Sequence, residues 1–318
     1  MTTRIPLIYG GVFGAKGTLA VRIHDLSECQ KSIDCFVGKG IRVIDTARNY
    51  GDGTSEEYLG QLDIKGAAID TKSVSTFYKP GDHSPQRLRE QLKASLTALA
   101  PHKIRVFFLH VPDRSVSYDE MLRGVDELYQ KGLFEEFGLS NFYSWEVAEI
   151  VTIAKSNGWI RPTVYEGLYN ALERNVEAEL FPCLRKFGIR FHGYSPLARG
   201  LLAGTSIASP TPGSRWDVES SAMAEGLRAK YQNWEVAFQS LRESLAKHNI
   251  SGGEAALRWL QHHSMLEPRD AIIIGPSSLS QLEQNIRDCE RGPLPEEIVS
   301  LLDGTWTNYK GRAPPYYR

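Results

Sequence analysis

The stretch that decides the fold runs from AAIDTKS (67–73) to IRVFFLH (104–110) and holds one helical pattern between two short runs. Both runs are too short for helices, and the second is rich in Ile, Val and Phe, as expected of a strand covered on both faces. Between them, Ser84 can cap a helix and Pro85 suits its first position. The leucines that follow form one apolar stripe at helical spacing, namely Leu88, Leu92, Leu96 and Leu99. This segment therefore predicts a strand–helix–strand unit of a parallel sheet.

The same alternation continues through the chain, which contains eight runs of strand type. They are LIYGG (7–11), IRVIDTA (41–47), AAIDTKS (67–73), IRVFFLH (104–110), EEFGLSN (135–141), PTVYEGL (162–168), IRFHGYS (189–195) and AIIIG (271–275). Helical patterns separate them, such as a capping box of Ser117 with Glu120. Eight such units favour closure into a barrel over an open sheet. We therefore expect a single (β/α)8 TIM-barrel domain that comprises residues 1–318.

One segment interrupts this alternation after the seventh strand. Residues 203–222 are rich in Ser, Pro and Gly, and a long connection of this kind is usually a functional lid or a disordered segment. Two further helices are predicted after it, around 230–247 and 253–262. The tail WTNYKGRAPPYYR (306–318) is aromatic and basic, and its two prolines prevent it from continuing a helix.

Composition and charge exclude several classes of function. The 318 residues carry a formal net charge of -1, which gives no global reason to bind nucleic acid or an anionic membrane. No apolar run is long enough to span a bilayer, and the first residues do not form a secretory signal. The four cysteines are widely spaced with no CxxC pair, so we expect reduced thiols in a cytoplasmic protein and no metal site.

The residues that could carry chemistry lie at the ends of successive strands, where barrel enzymes have their active sites. Asp45, Lys72 and His110 end the second, third and fourth strands, and Tyr50 lies on the loop that follows Asp45. Each residue alone has a structural explanation, but four together at one rim favour a site. A tyrosine hydroxyl has a reference pKa near 10, and a neighbouring ammonium lowers that value, so Tyr50 beside Lys72 suits proton donation to a carbonyl. Asp45 would keep Lys72 charged, while His110 would polarise the carbonyl or orient the substrate.

Several longer motifs resemble the aldo-keto reductase superfamily in order and spacing, and in particular its aflatoxin-aldehyde reductase branch. The superfamily motifs are DTARNYGDGTSEEYLG (45–60), DTK (70–72), FFLHVPD (107–113) and GLSNF (138–142). The finer match rests on SWEVAEI (144–150), ELFPCLRKFGIRF (179–191), GEAALRWLQHHSML (253–266), SSLSQLEQN (277–285) and PPYYR (314–318). The resemblance implies a (β/α)8 barrel, NADPH or NADP+ as the cofactor, no metal, and a catalytic tetrad of Asp45, Tyr50, Lys72 and His110. It also suggests a homodimer.

A cofactor site can be predicted near the last strand. No G-x-G-x-x-G fingerprint follows any strand, which disfavours a Rossmann domain. Phosphates in barrels sit by the last strands at a helix N-terminus, and IIIGPSSLSQLEQN (272–285) places Gly275, Ser277 and Ser278 at such a turn. Arg215 either supplies charge for a 2′-phosphate or is a solvent-exposed loop residue. The family pattern implies that the adenine side is formed by Gln281 and Asn285.

The resemblance also implies where the nicotinamide would bind. Ser140 and Asn141 are similar to the pair that bonds its carboxamide, and Tyr194 to the aromatic residue that stacks on its ring. The backbone near the pyrophosphate would comprise Ser195, Leu197, Ala198 and Gly200. Glu166 departs from the family, which usually has glutamine there, and an ionised carboxylate accepts hydrogen bonds without donating any. We therefore expect Glu166→Gln to tighten NADPH relative to NADP+.

Substrate residues are predicted from both ends of the chain, because the tail is expected to fold over the rim. The expected pocket walls are Phe13, Arg48, Phe77, Tyr78 and the aromatic tail, with Lys230 and Arg318 as basic residues near the substrate. These two suggest aldehydes that bear a carboxylate or other oxygen-rich groups, alongside aromatic aldehydes and dialdehydes.

Two rival functions remain open from the sequence. One is a regulatory subunit similar to potassium-channel β-subunits, which resemble aldo-keto reductases and bind NADPH with slow turnover. The other is a Schiff-base or metal-dependent barrel lyase that uses Lys72, although Asp45 would hold that lysine charged rather than nucleophilic.

Overall fold

Eight parallel strands form a closed barrel in which each strand pairs with its neighbours in chain order. Their bounds are β1 Leu7–Gly10, β2 Val43–Asp45, β3 Ala68–Lys72, β4 Ile104–Leu109, β5 Glu136–Ser140, β6 Pro162–Leu168, β7 Arg190–Tyr194 and β8 Ala271–Ile274. The barrel closes where Leu7 of β1 pairs with Ile272 of β8. The predicted (β/α)8 fold and its eight strands are confirmed, with most strands shorter than the apolar runs that predicted them.

The computed structural model describes most of the chain. The described residues are 3–11, 13–18, 21–74, 80–207, 209–210, 216–219, 224–231 and 235–318, and for residues 230 and 235–239 the description covers the backbone alone. In these ranges the helices are α1 Leu26–Gly38, α2 Thr54–Gln61, α3 Pro85–Leu99, α4 Tyr118–Gln130, α5 Ser144–Asn157, α6 Leu180–Phe187, α7 Ala224–Tyr231, α8 Glu235–Lys247, α9 Gly252–His262, α10 Leu279–Cys289 and α11 Glu296–Tyr309.

Several helices begin directly after residues whose side chains accept hydrogen bonds from the free backbone amides of the first turn. Ser84 caps α3 by accepting a hydrogen bond from Arg87 N, and Pro85 is the first residue of that helix, as predicted. Ser117 caps α4 by accepting from Glu120 N at 3.3 Å. The return bond typical of a capping box occurs at α5, where Tyr143 N donates to the side chain of Glu146 at 2.7 Å.

The barrel interior has an apolar layer, and ionisable side chains lie above it, toward the C-terminal ends of the strands. Alternate residues of a strand point to opposite faces, so the small clusters inside the barrel are separate from the main core between strands and helices. The interior clusters are Ile8, Ala271 and Ile273, and Val106, Phe108 and Val164. Lys72 pairs in register with Phe108, and Glu166 lies two residues beyond Val164 on β6. Strand alternation therefore directs both ionisable side chains into the barrel above the apolar layer.

The connection between β7 and β8 holds additional helices. The two predicted helices correspond to α8 and α9, while α7 was not predicted. The predicted lid at 203–222 falls partly outside the described residues. Among the helices that the structure describes, none is long and apolar enough to cross a membrane.

Candidate active site

Lys72 and Asp45 form a buried ion pair at the C-terminal ends of β3 and β2. Lys72 Nζ donates to Asp45 Oδ1 at 2.5 Å and to the backbone oxygen of Thr46 at 3.0 Å. The Lys72 side chain is fully buried and that of Asp45 is 5% exposed. Removing an ammonium from water is unfavourable unless it is paired and hydrogen-bonded, and both conditions hold here.

A second carboxyl contacts the same ammonium. Glu166 Oε2 lies 3.2 Å from Lys72 Nζ, and both side chains are almost completely buried. The approach is at ion-pair distance, yet this oxygen has no hydrogen-bond partner. Lys72 therefore lies between two carboxyls, one of which holds an unsatisfied oxygen at the rim.

The charges of this cluster depend on one another. Burial disfavours the charged form of Lys72, but Asp45, then Glu166 and Tyr50, raise its pKa above the ordinary value for lysine. Burial raises the pKa of Glu166 well above its usual value, Asp45 adds to the increase, and Lys72 opposes it. Lys72 is therefore charged, and Glu166 binds its proton more tightly than an ordinary glutamate does. The sequence suggested an ionised Glu166, whereas burial beside Asp45 raises its pKa and so favours the protonated form.

Tyr50 lies above Lys72 on the loop that follows β2. The Nζ atom of Lys72 lies 5.4 Å from the centroid of the Tyr50 ring. Lys72 lowers the pKa of Tyr50, but burial raises it more, and Asp45 and Glu166 also raise it. The pKa of Tyr50 is therefore above its usual value, contrary to the expectation that the neighbouring ammonium brings it below. The predicted neighbour is in place, but burial is the larger effect.

His110 follows directly after β4 and faces the same tyrosine. The two rings meet edge to face with centroids 5.8 Å apart. Burial, then Lys72 and Arg318, lower the pKa of His110 well below its usual value, so the imidazole is neutral. Its Nδ1 atom is buried without a hydrogen-bond partner. Thus the structure brings Asp45, Tyr50, Lys72 and His110 together at one rim.

The residues expected near the nicotinamide form a connected network at the ends of β5 and β7. Asn141 donates to the backbone oxygen of His110 and to Ser140 Oγ, both at 2.8 Å. The hydroxyl of Tyr194 donates to Asn141 Oδ1 at 2.8 Å. Glu166 pairs in register with Ser140, so these side chains lie at the same height in the barrel. The Asn141 amide is therefore fixed by its own neighbours beside Lys72 and Glu166.

The backbone expected near the pyrophosphate adopts an unusual conformation. Ser195, Ala198 and Arg199 have φ values of 57°, 46° and 58°, in the left-handed region that non-glycine residues rarely adopt. Asn170 Nδ2 donates to the backbone oxygen of Ser195 at 3.0 Å and so supports this turn. Such strain costs free energy and is concentrated at functional sites.

Below this turn lies a buried cluster that the sequence did not reveal. Arg199 forms an ion pair with Glu173 at 3.2 Å and donates to the hydroxyl of Tyr231, which in turn donates to Glu173. Arg199 directly follows Ala198 in the backbone that was expected near the pyrophosphate. No sequence pattern indicates that it contacts Tyr231 on α7.

The predicted phosphate turn forms at the start of α10. Ser278 caps this helix by accepting from Gln281 N, and both the backbone N and the hydroxyl of Ser277 donate to Gln281 Oε1, at 2.7 and 2.9 Å. Gly275 is exposed after β8, and Asn285 is buried on the helix. An anion at this helix end would meet the positive end of the helix dipole.

The predicted substrate residues have different surroundings. Phe13 is fully buried against Tyr9 in the main core, and Arg48 forms an ion pair with Glu56 at 2.6 Å. Neither observation supports the pocket-wall role that the sequence suggested. Three predicted site features lie outside the described residues, namely Arg215, the Phe77–Tyr78 pair and the side chain of Lys230.

The C-terminal tail reaches the rim, as expected. Arg318 N donates to the backbone oxygen of Asn141 at 3.0 Å, and the charge of Arg318 is close enough to His110 to lower its pKa. Arg114 holds this end by donating to the backbone oxygen of Arg318 at 3.0 Å. Arg114 also binds the buried Glu146 at 2.7 Å. The sequence did not single out Arg114 or Glu146, because these contacts join distant parts of the chain.

The structure thus defines a class: a (β/α)8-barrel protein with a buried lysine–carboxylate cluster, a tyrosine and a neutral histidine at its C-terminal rim. In the described residues, no group of three or more His, Cys, Asp or Glu side chains could hold a metal ion. The sequence profile of the Aldo/keto reductase family matches residues 7–307. The chain belongs to this family and is an oxidoreductase that acts on carbonyl groups. Enzymes of the family generally use nicotinamide cofactors, usually NADPH.

Individual relatives agree with this assignment. The chain is 40% identical over 319 residues to the aflatoxin B1 aldehyde reductase member 2 of Mus musculus, covering 95% of this chain and 86% of the relative. It is 41% identical over 299 residues to the aldo-keto reductase family 7 member A3 of Homo sapiens, covering 89% and 90%. It is also 41% identical over 297 residues to an aldo-keto reductase of Pseudocercospora fijiensis, covering 90% and 99%.

Proposed function

We propose that the protein is an NADPH-dependent reductase of aldehydes or ketones in which Tyr50 donates the proton to the substrate oxygen. One observation carries this proposal. The Lys72–Asp45 pair is buried directly beneath Tyr50, with Nζ 5.4 Å from the ring centroid and 2.5 Å from the carboxylate. A fixed positive charge there stabilises the phenolate that remains after the proton has left.

The residues of the rim fit a nicotinamide dinucleotide. The strained turn from Ser195 to Arg199 directly follows β7 at the barrel rim. The unpartnered oxygen of Glu166 lies close to the network of Asn141 and Tyr194. We assign the phosphates to that turn and to the start of α10. The bound cofactor would supply the hydride, which no side chain provides. The remaining residues assigned to cofactor binding are Ser140, Leu197, Ala198, Gly200, Arg215, Gly275, Ser277, Ser278, Gln281 and Asn285.

His110 and Tyr50 would act on the carbonyl oxygen. A neutral imidazole can donate one hydrogen bond to that oxygen and so polarise the carbonyl without giving up its proton. Tyr50 then transfers its proton to the developing alkoxide while Lys72 holds the phenolate charge. Asp45 keeps Lys72 charged and positioned. Tyr50, His110 and Lys72 are in this proposal the catalytic residues, and Asp45 is the residue that positions Lys72.

The substrates we propose are aromatic aldehydes, dialdehydes and aldehydes that bear a carboxylate. Arg318 supports the last class because its charge lies near His110 and Tyr194. The names of the mammalian relatives, aflatoxin B1 aldehyde reductases, support an aldehyde substrate. The four cysteines are free, which supports a reducing, cytoplasmic environment. We further propose one domain of residues 1–318 that assembles as a homodimer.

The test is steady-state consumption of NADPH with 2-carboxybenzaldehyde and 4-nitrobenzaldehyde, and with NADH in place of NADPH. We expect turnover with both aldehydes and a much lower KM for NADPH than for NADH. Tight NADPH binding without turnover would instead favour the regulatory subunit. Sedimentation of the same preparation measures the oligomeric state.

A further inference from the structure

The Glu166–Lys72–Asp45 cluster contains one more acidic group than its single buried cation can neutralise. Asp45 Oδ1 and Glu166 Oε2 lie 2.5 and 3.2 Å from the same Nζ, and all three side chains are at least 95% buried. With both carboxyls ionised the cluster has a charge of -1, and with one proton shared between them it is neutral. Burial penalises net charge and so favours the neutral arrangement.

The contacts of the two carboxyls favour Glu166 as the one that holds the proton. Asp45 accepts a direct hydrogen bond from Lys72, whereas Glu166 Oε2 is buried and has no hydrogen-bond partner. An ionised oxygen without a donor is the more costly of the two to bury. The raised pKa of Glu166 agrees with this assignment. Glu166 is therefore the group whose charge can change when the surroundings of the cluster change.

We propose that Glu166 is a specificity-determining residue, holding a proton that makes the preference of this site for reduced over oxidised nicotinamide depend on pH. This inference rests on the proposed cofactor. The oxidised ring carries a positive charge and the reduced ring is neutral, so only the oxidised form gains from an ionised Glu166. Binding of NADP+ would then expel the proton of Glu166 to solvent, whereas binding of NADPH would leave it in place.

The direction of this pH dependence follows from the linkage between cofactor binding and proton release. At low pH the cluster is neutral and gives the oxidised ring no added attraction. As pH rises toward the pKa of Glu166, the cost of removing its proton falls, so NADP+ binds more tightly and NADPH does not. The ratio of Kd(NADP+) to Kd(NADPH) should therefore fall as pH rises. The 2′-phosphate titrates in both cofactors, so its effect cancels in this ratio.

Other titratable groups that face Glu166 do not produce this behaviour. The pKa values of Lys72, Tyr50 and Tyr194 lie above their usual positions, so these groups keep their protons through the neutral range. His110 on β4 and His192 on β7 have pKa values well below the ordinary value and stay neutral. The cations that act on these two histidines are Lys72, Arg318, Arg190 and Arg105.

The experiment measures binding rather than turnover. Kd values for NADP+ and NADPH are determined by titration calorimetry between about pH 6 and about pH 9, for the wild type and Glu166→Gln. Repeating each titration in buffers of different ionisation enthalpy gives the number of protons released. The amide introduced by Glu166→Gln has nearly the same shape as the carboxyl but cannot titrate. Glu177→Gln is the matched control, because Glu177 is a partly buried carboxyl with a raised pKa that binds Tyr169 and no member of the Glu166–Lys72–Asp45 cluster.

For the wild type and Glu177→Gln we expect the Kd ratio to fall by about tenfold across this range, with proton release on NADP+ binding only. Glu166→Gln should give a constant ratio and no extra proton. Equal pH courses in the wild type and Glu166→Gln would overturn the inference while leaving the reductase intact. Failure of both cofactors to bind would overturn the proposed function as well. If Glu166→Gln does not fold, the proton count of the wild type decides alone: equal counts for NADP+ and NADPH contradict the proposal.

Discussion

Lys72 Nζ lies 2.5 Å from Asp45 Oδ1 inside the barrel, so the charge beneath Tyr50 is fixed in place before any substrate arrives. Replacing Asp45 by Asn keeps the shape but removes the charge that holds Lys72 protonated. We expect kcat to fall about 100-fold, because the phenolate of Tyr50 loses part of its electrostatic support. The Kd for NADPH should change little. Stopped-flow single turnovers measure the chemical step directly, and an unchanged rate in Asp45→Asn would remove Asp45 from the mechanism.

Tyr50→Phe removes the proposed proton donor and leaves its ring in place. We expect kcat to fall by about a thousandfold or more while the Kd for NADPH stays within about threefold of the wild type, since general acid catalysis is lost and the cofactor contacts remain. Tyr129→Phe is the matched control, because Tyr129 of α4 packs against Phe134 and takes no part in the site. Full activity in Tyr50→Phe would assign proton donation to another group.

The pH profile follows from the two rings at the rim. Because the pKa of Tyr50 is raised above its usual value, the donor stays protonated across the neutral and mildly alkaline range, and kcat/KM for reduction should be flat there. Because the pKa of His110 is well below its usual value, no acidic limb should arise from it near neutrality. Oxidation of the alcohol needs the phenolate, so its rate should increase with pH. A reduction rate that already declines near neutral pH would contradict the raised pKa of Tyr50.

The strands and the positions of Asp45 and Lys72 could be predicted from the sequence, because the patterns that indicate them lie within short stretches of the chain. Short apolar runs between amphipathic helices define the barrel, and the end of a run places Asp45 and Lys72 at the rim. The contact between Lys72 and Glu166 could not be predicted, because it crosses the barrel interior between two strands that are not neighbours. The net shift in the pKa of Tyr50 depends on its burial, and burial is known only once the strands and loops of the rim have come together. The tail contacts of Arg114 involve residues 204 positions apart.

The fourth prediction concerns the tail, which is fixed by one buried carboxylate. Glu146 accepts hydrogen bonds from Arg114, from the hydroxyl of Tyr118 and from Tyr143 N, each at 2.7 Å. Arg114 in turn binds the backbone oxygen of Arg318, so the position of the last residue depends on this group. We expect Glu146→Gln to lower the free energy of unfolding by about 2 kcal/mol, because a charge-assisted contact to Arg114 is lost in a buried site. Denaturant unfolding of the variant beside the wild type measures this difference, and equal stabilities would contradict it.

The same tail should control the KM for acidic substrates. Removing residues 314–318 takes away the Arg318 charge, so KM for 2-carboxybenzaldehyde should rise about tenfold while KM for 4-nitrobenzaldehyde changes much less. Arg318→Ala separates the charge from the rest of the tail, since it keeps the backbone bond to Asn141. It should reproduce the effect on the acidic aldehyde alone. Arg312→Ala, a change at an exposed position outside the rim, is the control for general loss of positive charge. Equal increases for both aldehydes in Arg318→Ala would show that the tail shapes the pocket without recognising the carboxylate.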